Sequence, residues 1–315
     1  MANKLFNHKE MLHHALKNGY AIGGYNFSSI EVMRAIIDGC QETDAPVILS
    51  LSQSGLKFAT PTYLKHVVYA ALENTDIPIS LHLDHGKNID IVKECIDVGF
   101  NSVMIDGSYL PYEENVALTK EVVKYAHKRK VAVEGELGKL AGVEDDVKSS
   151  KSIYTDPEQA LDFVKRTGVD SLAIAIGTSH GAFKFSGTPT LKFDILSEIR
   201  SLMPDLPIVL HGASNVPKKY IKIINKYGGD IQKSKGVSES LIEKACSLGV
   251  CKVNNDTDIR VCYTASIREY LFKNPNCFTP REYLQYAKDQ VKELIKDKNT
   301  NLFHCSNQGH LIKKK

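Results

Sequence analysis

The sequence predicts an α/β chain folded as a (β/α)8 TIM barrel with an extra C-terminal helix. Three observations predict it. β-branched or alternating apolar runs are followed again and again by capped amphipathic stretches, the signature of parallel strands with helices between them. There are about eight such runs, the number that closes a barrel. The alternation continues through 315 residues with no Pro/Gly/Ser-rich break and no short internal repeat, so one barrel domain over 1–315 is expected rather than two domains.

Taken in order, the predicted strands are 20–27 (YAIGGYNF), 46–52 (PVILSLS), 78–84 (PISLHLD), 102–107 (SVMIDG), 131–137 (VAVEGEL), 171–177 (SLAIAIG), 207–211 (PIVLH) and 251–255 (CKVNN). The helices between them carry start signals. Ser28 with Glu31 reads as a capping box, and Thr60-Pro61, Asp156-Pro157 and Thr279-Pro280 each set a cap before a proline at the first helical position. A helix over 88–98 keeps Ile89, Val92 and Ile96 on one face, as packing against a barrel requires. The polar segment 138–155, between the fifth strand and its helix, predicts a mobile loop at the barrel mouth. A long helix over about 280–298 exceeds what closes the barrel, and a frayed tail is expected from about 299.

With 43% hydrophobic and 24% charged residues the composition is that of a soluble globular chain, which excludes disorder, collagen and coiled coil. The balance of 40 basic against 37 acidic residues leaves +3, too little for the broad positive field of a nucleic-acid binder. The basic run Lys313 to Lys315 reads as a solvated tail. No run approaches the ~20 apolar residues that cross a bilayer, and MANKLFNHKEMLHH holds no apolar core of a secretion signal, so no membrane partner and a cytoplasmic location are expected. Seven cysteines, odd in number, thinly spread and without a C-x-x-C pair, read as buried reduced thiols.

In such a barrel, chemistry sits at the C-terminal ends of strands and in the loops that follow. The third predicted strand ends in His82-Leu83-Asp84-His85-Gly86, Gly177-Thr178-Ser179-His180-Gly181 follows the sixth, and the seventh ends in His211-Gly212-Ala213-Ser214. A lone histidine is more often a satisfied core or surface residue. Three histidines at equivalent strand ends reverse that reading, because His85, His180 and His211 leaving one open position is the pattern of a catalytic zinc. His82 shares a face with Asp84 but lies deeper, so a packing or hydrogen-bonding role is expected. His8, His13, His14, His66, His127, His304 and His310 fall on predicted helices or termini and are assigned to the surface.

The stretches ISLHLDHG (79–86) and VEGELGKLAGVE (133–144) resemble the two signature segments of class II, metal-dependent fructose-bisphosphate aldolases. GTSHGAFKF, LHGAS and KVNNDTDIR resemble that family's later motifs in the same order, and the likeness runs from about residue 10 to 298. The resemblance implies that His85, His180 and His211 bind the catalytic zinc and that Asp84 is the acid/base on the C4 hydroxyl of a sugar bisphosphate. It implies that Glu144 moves the proton at C3 of dihydroxyacetone phosphate. Asp106 and Glu136 match carboxylates that bind a second divalent or monovalent cation, or that merely orient ligands. Gly181 and Lys184 would hold the phosphate of the dihydroxyacetone half, Asn254 would touch substrate near the metal, and Ser52 and Arg260 would contact the far phosphate. In the family that arginine commonly comes from the partner subunit, so a homodimer or higher homo-oligomer is implied.

The chemistry suits these residue types. Cleaving the C3–C4 bond leaves a carbanion beside a ketone, whose charge a divalent ion can spread, and an aspartate next to a ligand histidine is placed to take the C4 hydroxyl proton. Barrels commonly bind phosphate with the loops after strands seven and eight, and this chain supplies Gly212, Ala213 and Ser214, then Asn254, Asn255, Asp256 and Thr257. The glycine permits close backbone approach, and Ser214 and Thr257 add hydroxyl donors. The chain departs from the family at Ser52-Gln53-Ser54-Gly55, where relatives often have Ser-x-Gly-Ala, at Ala141, usually glycine or methionine, and at Gly107-Ser108, a pair also seen in tagatose-bisphosphate enzymes. Asp256 favours fructose 1,6-bisphosphate, because tagatose enzymes tend to have alanine there. The expected enzyme is therefore a carbon–carbon lyase of glycolysis and gluconeogenesis. Alternatives are a tagatose-bisphosphate aldolase, a metal-dependent hydrolase on the same barrel and a non-catalytic sugar-phosphate protein. A Schiff-base aldolase is disfavoured, since Lys184 is on a loop and Lys252 shows no obvious partner that would activate its amine.

Overall fold

In chain order the strands are β1 (Ile22–Asn26), β2 (Val47–Ser52), β3 (Ile79–Gly86), β4 (Ser102–Ile105), β5 (Ala132–Leu137), β6 (Ala141–Glu144), β7 (Val147–Ser149), β8 (Ser171–Ile174), β9 (Ser179–His180), β10 (Ile208–Leu210) and β11 (Val250–Asn255). Eight of them close into a parallel barrel in the order β1-β11-β10-β8-β5-β4-β3-β2, and each matches a strand expected from the sequence. The structure is a computed structural model that describes residues 5–144, 147–149, 152–180, 189–232 and 234–313, with the backbone alone at 141–144, 147–149 and 180.

Helices cover the outside: α1 (His8–Asn18), α2 (Ile30–Glu42), α3 (Gln53–Ala59), α4 (Pro61–Ala71), α5 (Ile89–Val98), α6 (Tyr112–His127), α7 (Pro157–Thr167), α8 (Phe193–Leu202), α9 (Lys218–Lys226), α10 (Glu239–Ser247), α11 (Thr257–Lys273) and α12 (Pro280–Asp297). Because helices cover one face of the sheet and side chains fill the other, β1, β3, β5 and β11 are buried at every position. The extra helix is α12, which packs on α2 and α11. Capping behaves largely as its chemistry requires. Asp156 accepts from Gln159 N at 2.8 Å, and Asn88 accepts from Asp90 N and Ile91 N at 3.1 Å each. The cap of α2 is Ser29, accepting from Val32 N at 3.3 Å, one residue later than the expected Ser28. Thr60 and Thr279 occupy their cap positions before proline without a side-chain cap bond.

Three expectations are corrected. Segment 138–155 is not an unpaired loop over its described residues. β6 and β7 form an antiparallel pair, β9 adds parallel to β6, and Lys139 and Ile153 exchange backbone hydrogen bonds at 2.8 Å. The pairing partner lies some 40 residues away at 179–180, so no local pattern shows it. The C-terminal segment is not frayed from 299. Lys298–Leu302 makes a turn of π-helix, Asn299, Phe303 and Cys305 are buried, Tyr25 Oη donates to Asn299 Oδ1 at 2.8 Å, and Ala21 N donates to Phe303 O at 3.1 Å. Asn299 Nδ2 also donates to Thr43 Oγ1 at 3.1 Å, so this segment packs against β1 and the end of α2. Lastly, His8 is no surface residue. It is buried beneath β3, 2.8 Å from Ser80 Oγ through Nδ1, and stacks on His82. The seven cysteines are free thiols, all buried except half-buried Cys277.

Candidate active site

Alternation along each strand sends residues two apart to the same face. It therefore stacks Asp84 above His82 on β3, Glu136 above Glu134 on β5 and Asn254 above Lys252 on β11, all pointing into the barrel near its C-terminal rim.

Asp84 is held on both oxygens. Asn26 Nδ2, at the end of β1, donates to Oδ2 at 2.9 Å, and Asn254 Nδ2 donates to Oδ1 at 2.8 Å. Burial opposes ionisation of this carboxyl, but His85, His211, Lys252 and the Asn26 amide outweigh it and lower its pKa.

His85 follows in a backbone conformation that non-glycine residues seldom adopt, with φ of 48°. The β3–β4 register shifts between Leu83 and Gly86, and a Cβ on Gly86 would stand 2.6 Å from Met104 O, so glycine is required there. This kink, stored as local strain, aims the imidazole across the mouth. His85 Nδ1 lies 3.0 Å from Asp106 Oδ2, while Nε2 lies 2.9 Å from His211 Nδ1, and His211 Nε2 lies 2.7 Å from Glu134 Oε1. The two rings meet edge to face.

A carboxylate only accepts, so the outer nitrogen of each ring carries a proton. The inner nitrogens then face each other as lone pairs, unless a proton or a cation lies between them. Burial lowers the pKa of His85, yet Asp84, Asp106 and Glu136 reverse that and raise it well above the ordinary value. Asp106 is lowered: burial pushes it up, and the bonds from His85 and Ser108 more than compensate. Glu136 is raised well above the usual range by burial and then by the charge of Asp106.

Among the described residues, two groups of side chains could hold a metal ion, Asp84 with His85 and His211, and His85 with Asp106 and Glu136. The donor chemistry fits. Two imidazole nitrogens on a tetrahedral zinc, each at about 2.0–2.1 Å, stand about 3.3 Å apart, close to the 2.9 Å found between His85 and His211. Glu136 Oε2 is buried without a hydrogen-bond partner among the described residues, 3.7 Å from His85 Nδ1.

The sequence profile described as fructose-bisphosphate aldolase class-II matches residues 6–308. The chain belongs to the class II fructose-bisphosphate aldolase family. It is 50% identical over 314 residues to a fructose-bisphosphate aldolase of Treponema pallidum (strain Nichols), covering 94% of this chain and 95% of the relative. It is 44% identical over 290 residues to a fructose-bisphosphate aldolase of Giardia intestinalis, covering 91% and 89%. Among solved structures it resembles the YdjI aldolase from Escherichia coli K12, with a TM-score of 0.78 at 28% identity over 97% of this chain and 99% of that one. The resemblance carried by the ordered motifs is thus borne out, and with it the lyase class. The class II family is generally metal-dependent.

The remaining expected site residues of this class II aldolase divide into four sets. His180 has its backbone on β9, beside the loop after β10: Ser179 N is 3.4 Å from Gly212 O, and Gly212 has φ of 61° with room for no Cβ, since one would stand 2.7 Å from the Ser179 carbonyl. The side chains of His180 and Glu144, and all of Gly181 and Lys184, lie outside the described residues. Ala213 and Ser214 are buried behind Gly212, and the following loop is pinned where Asn215 N and Val216 N donate to Asp258 at 3.1 and 2.7 Å.

A cleft of about 540 Å³ beside Asp84 is lined by Asn26, Ser52, Ser54, Asp256 and Arg260. Arg260 grips Asp256 with Nε at 2.9 Å and Nη2 at 2.6 Å, and Ser52 and Arg260 line the same cleft. Thr257 opens α11 at its rim. Asn255 is not brought to the mouth. β11 extends through it, and alternation turns it to the side opposite Asn254, where both its polar side-chain atoms are buried without a partner among the described residues.

Three participants escaped the sequence reading. Asn26, Glu134 and Lys252 each sit two residues from a position already singled out or at a strand end, so alternation was the available signal. Lys252, for which the sequence shows no partner that would activate its amine, has its buried Nζ 2.8 Å from the carboxylate Oε2 of Glu134 and 3.1 Å from His82 Nε2. His82 has the hydrogen-bonding role expected of it, with Nδ1 also 2.8 Å from Ser102 Oγ. Among the described residues, no helix is long and apolar enough to cross a membrane.

Proposed function

We propose that this class II aldolase reversibly cleaves fructose 1,6-bisphosphate to dihydroxyacetone phosphate and glyceraldehyde 3-phosphate, using zinc held by His85, His180 and His211. The observation that carries this reading is the facing pair His85 Nε2 and His211 Nδ1, 2.9 Å apart, with a carboxylate behind each ring and Asp84 beside them. A bound divalent ion supplies a sink for the negative charge that C3–C4 cleavage leaves next to the ketone.

The chain's own residues do the rest. Asp84, kept ionised and unable to rotate between Asn26 and Asn254, takes the proton from the C4 hydroxyl in cleavage and returns it in condensation. Glu144 moves the proton at C3. Gly181, Lys184 and the loop Gly212, Ala213 and Ser214 hold the nearer phosphate, and Ser52 and Arg260 at the cleft hold the far one. Asn254 positions substrate beside Asp84, while Asp256 and Thr257 shape the sugar end and favour the fructose epimer. Asp106 and Glu136 orient His85 or share a second cation with it. The reading extends to a cytoplasmic homo-oligomer of glycolysis and gluconeogenesis, in which residues 1–315 act as one barrel unit. The family match over 6–308 and the packing of the C-terminal segment on the barrel support that unit.

The test compares cleavage rates on fructose and tagatose bisphosphates with metal content measured on the same sample. Dialysis against a chelator should abolish cleavage and zinc should restore it, with fructose 1,6-bisphosphate the faster substrate. Full activity in the metal-free protein overturns the metal reading, and preference for the tagatose epimer overturns the substrate.

A further inference from the structure

Below the facing histidines runs a buried polar chain that the proposed chemistry does not use. Lys252 Nζ donates to Glu134 Oε2 at 2.8 Å and to His82 Nε2 at 3.1 Å, and the second oxygen of Glu134 meets His211 Nε2 at 2.7 Å. His82 Nδ1 ends the chain at Ser102 Oγ, 2.8 Å away. Lys252, Glu134 and His82 are wholly sealed from solvent.

Stability does not account for this arrangement. Removing both charges of an ion pair from water is seldom repaid by their attraction, and apolar side chains of similar volume commonly serve a core as well or better. The apolar alternative is present in the same barrel, where Met104, Ala173 and Val209 pack together. The neighbouring strand also makes room for the lysine: a Cβ on Gly24 would stand 3.0 Å from Lys252 Cε and 2.8 Å from Asn254 Oδ1.

The direction of each hydrogen supplies the reason. An ammonium only donates, so Lys252 fixes one oxygen of Glu134 and makes His82 accept at Nε2, leaving the His82 proton on Nδ1 toward Ser102. A carboxylate only accepts, so the other oxygen of Glu134 takes the proton of His211 Nε2 and leaves the Nδ1 lone pair toward His85. We propose that Glu134, locked by Lys252, is a positioning residue that sets the ring orientation and tautomer of His211 so that Nδ1 is presented to a divalent cation. The inference rests on the reading of His211 as a metal ligand.

The experiment titrates metal-free full-length protein with Zn²⁺ against a chromophoric chelator, and with Co²⁺ while following its visible absorption, for wild type, H211A, E134Q, K252M and E134Q/K252M. Circular dichroism and melting establish which variants are folded. Folded E134Q should bind zinc about 10–100-fold more weakly than wild type with an altered cobalt spectrum, because its amide can present a donor to His211. K252M should lose affinity in the same direction, and the double variant should be no worse than E134Q, as members of one chain are not additive. Where E134Q fails to fold because Lys252 is stranded, E134Q/K252M strands no charge and gives the same reading. Wild-type affinity with an unchanged cobalt spectrum in a folded variant lacking Glu134 overturns the proposal alone. Wild-type affinity in H211A overturns the ligand reading beneath it.

Discussion

Asn254 Nδ2 on β11 reaches across the barrel mouth to Asp84 Oδ1 on β3 at 2.8 Å, while Asn26 on β1 takes the other oxygen at 2.9 Å. With one amide on each oxygen the carboxylate plane is fixed, which is what a base needs if its proton is to travel along one direction. Asn254→Ala and Asn26→Ala should each lower kcat for cleavage by roughly 10–100-fold, and Asp84→Asn by more. Steady-state assays of the three variants check this. Unchanged kcat in both asparagine variants would mean that Asp84 is not the base.

Gly212 separates His211 from the loop beneath Ser179, and both its φ of 61° and the 2.7 Å approach to the Ser179 carbonyl forbid a side chain. Gly212→Ala should destabilise the fold by about 1–2 kcal/mol and push away the segment that carries His180. Thermal melts and the zinc content of the purified variant measure the two effects separately.

His8 sets a pH dependence of stability. Burial, then the charge of Lys252, lowers its pKa from 6.5 to about 3, so the folded chain keeps it neutral. Between those values the unfolded chain binds a proton that the folded chain does not. Its contribution is therefore intact above pH 6.5 and is lost as the pH falls toward 3, at about 1.4 kcal/mol per pH unit. Urea titrations at pH 7, 6 and 5 should show a shallower fall in stability for His8→Gln than for wild type. Parallel curves would count against a neutral buried His8.

The C-terminal segment is tied to β1 and the end of α2 through Asn299, which accepts from Tyr25 Oη at 2.8 Å and donates to Thr43 Oγ1 at 3.1 Å. Asn299→Ala strands the buried tyrosine hydroxyl and should cost about 1–3 kcal/mol by thermal or chemical unfolding. Deleting 299–315 should cost more, because it also uncovers the apolar surface against which Phe303 and Cys305 pack.

Much of the molecule was legible in its residues. Eight strands, the extra helix and the placing of Asp84, His85 and His211 near one rim all follow from patterns with a range of a few residues: alternation, capping and the polar run at each strand end. Other features were not legible. The 138–155 segment gave no sign that it would pair with 179–180, nor did residues from 299 on show that they would pack against β1 and the end of α2. His8 looked like a surface histidine because its helix was read without the barrel it covers.

What the sequence by itself determined is the period of each element and the chemistry at each strand end. Tertiary structure alone decided the partners: which oxygen of Asp84 each asparagine holds, which nitrogen of His211 faces His85, and that Glu134 meets Lys252. The physical reason is that hydrophobic periodicity acts between residues near in sequence, whereas hydrogen-bond partnership depends on register and barrel closure. Both are set by pairings between strands as many as 230 residues apart, as the register of Ile22 on β1 with Lys252 on β11 shows.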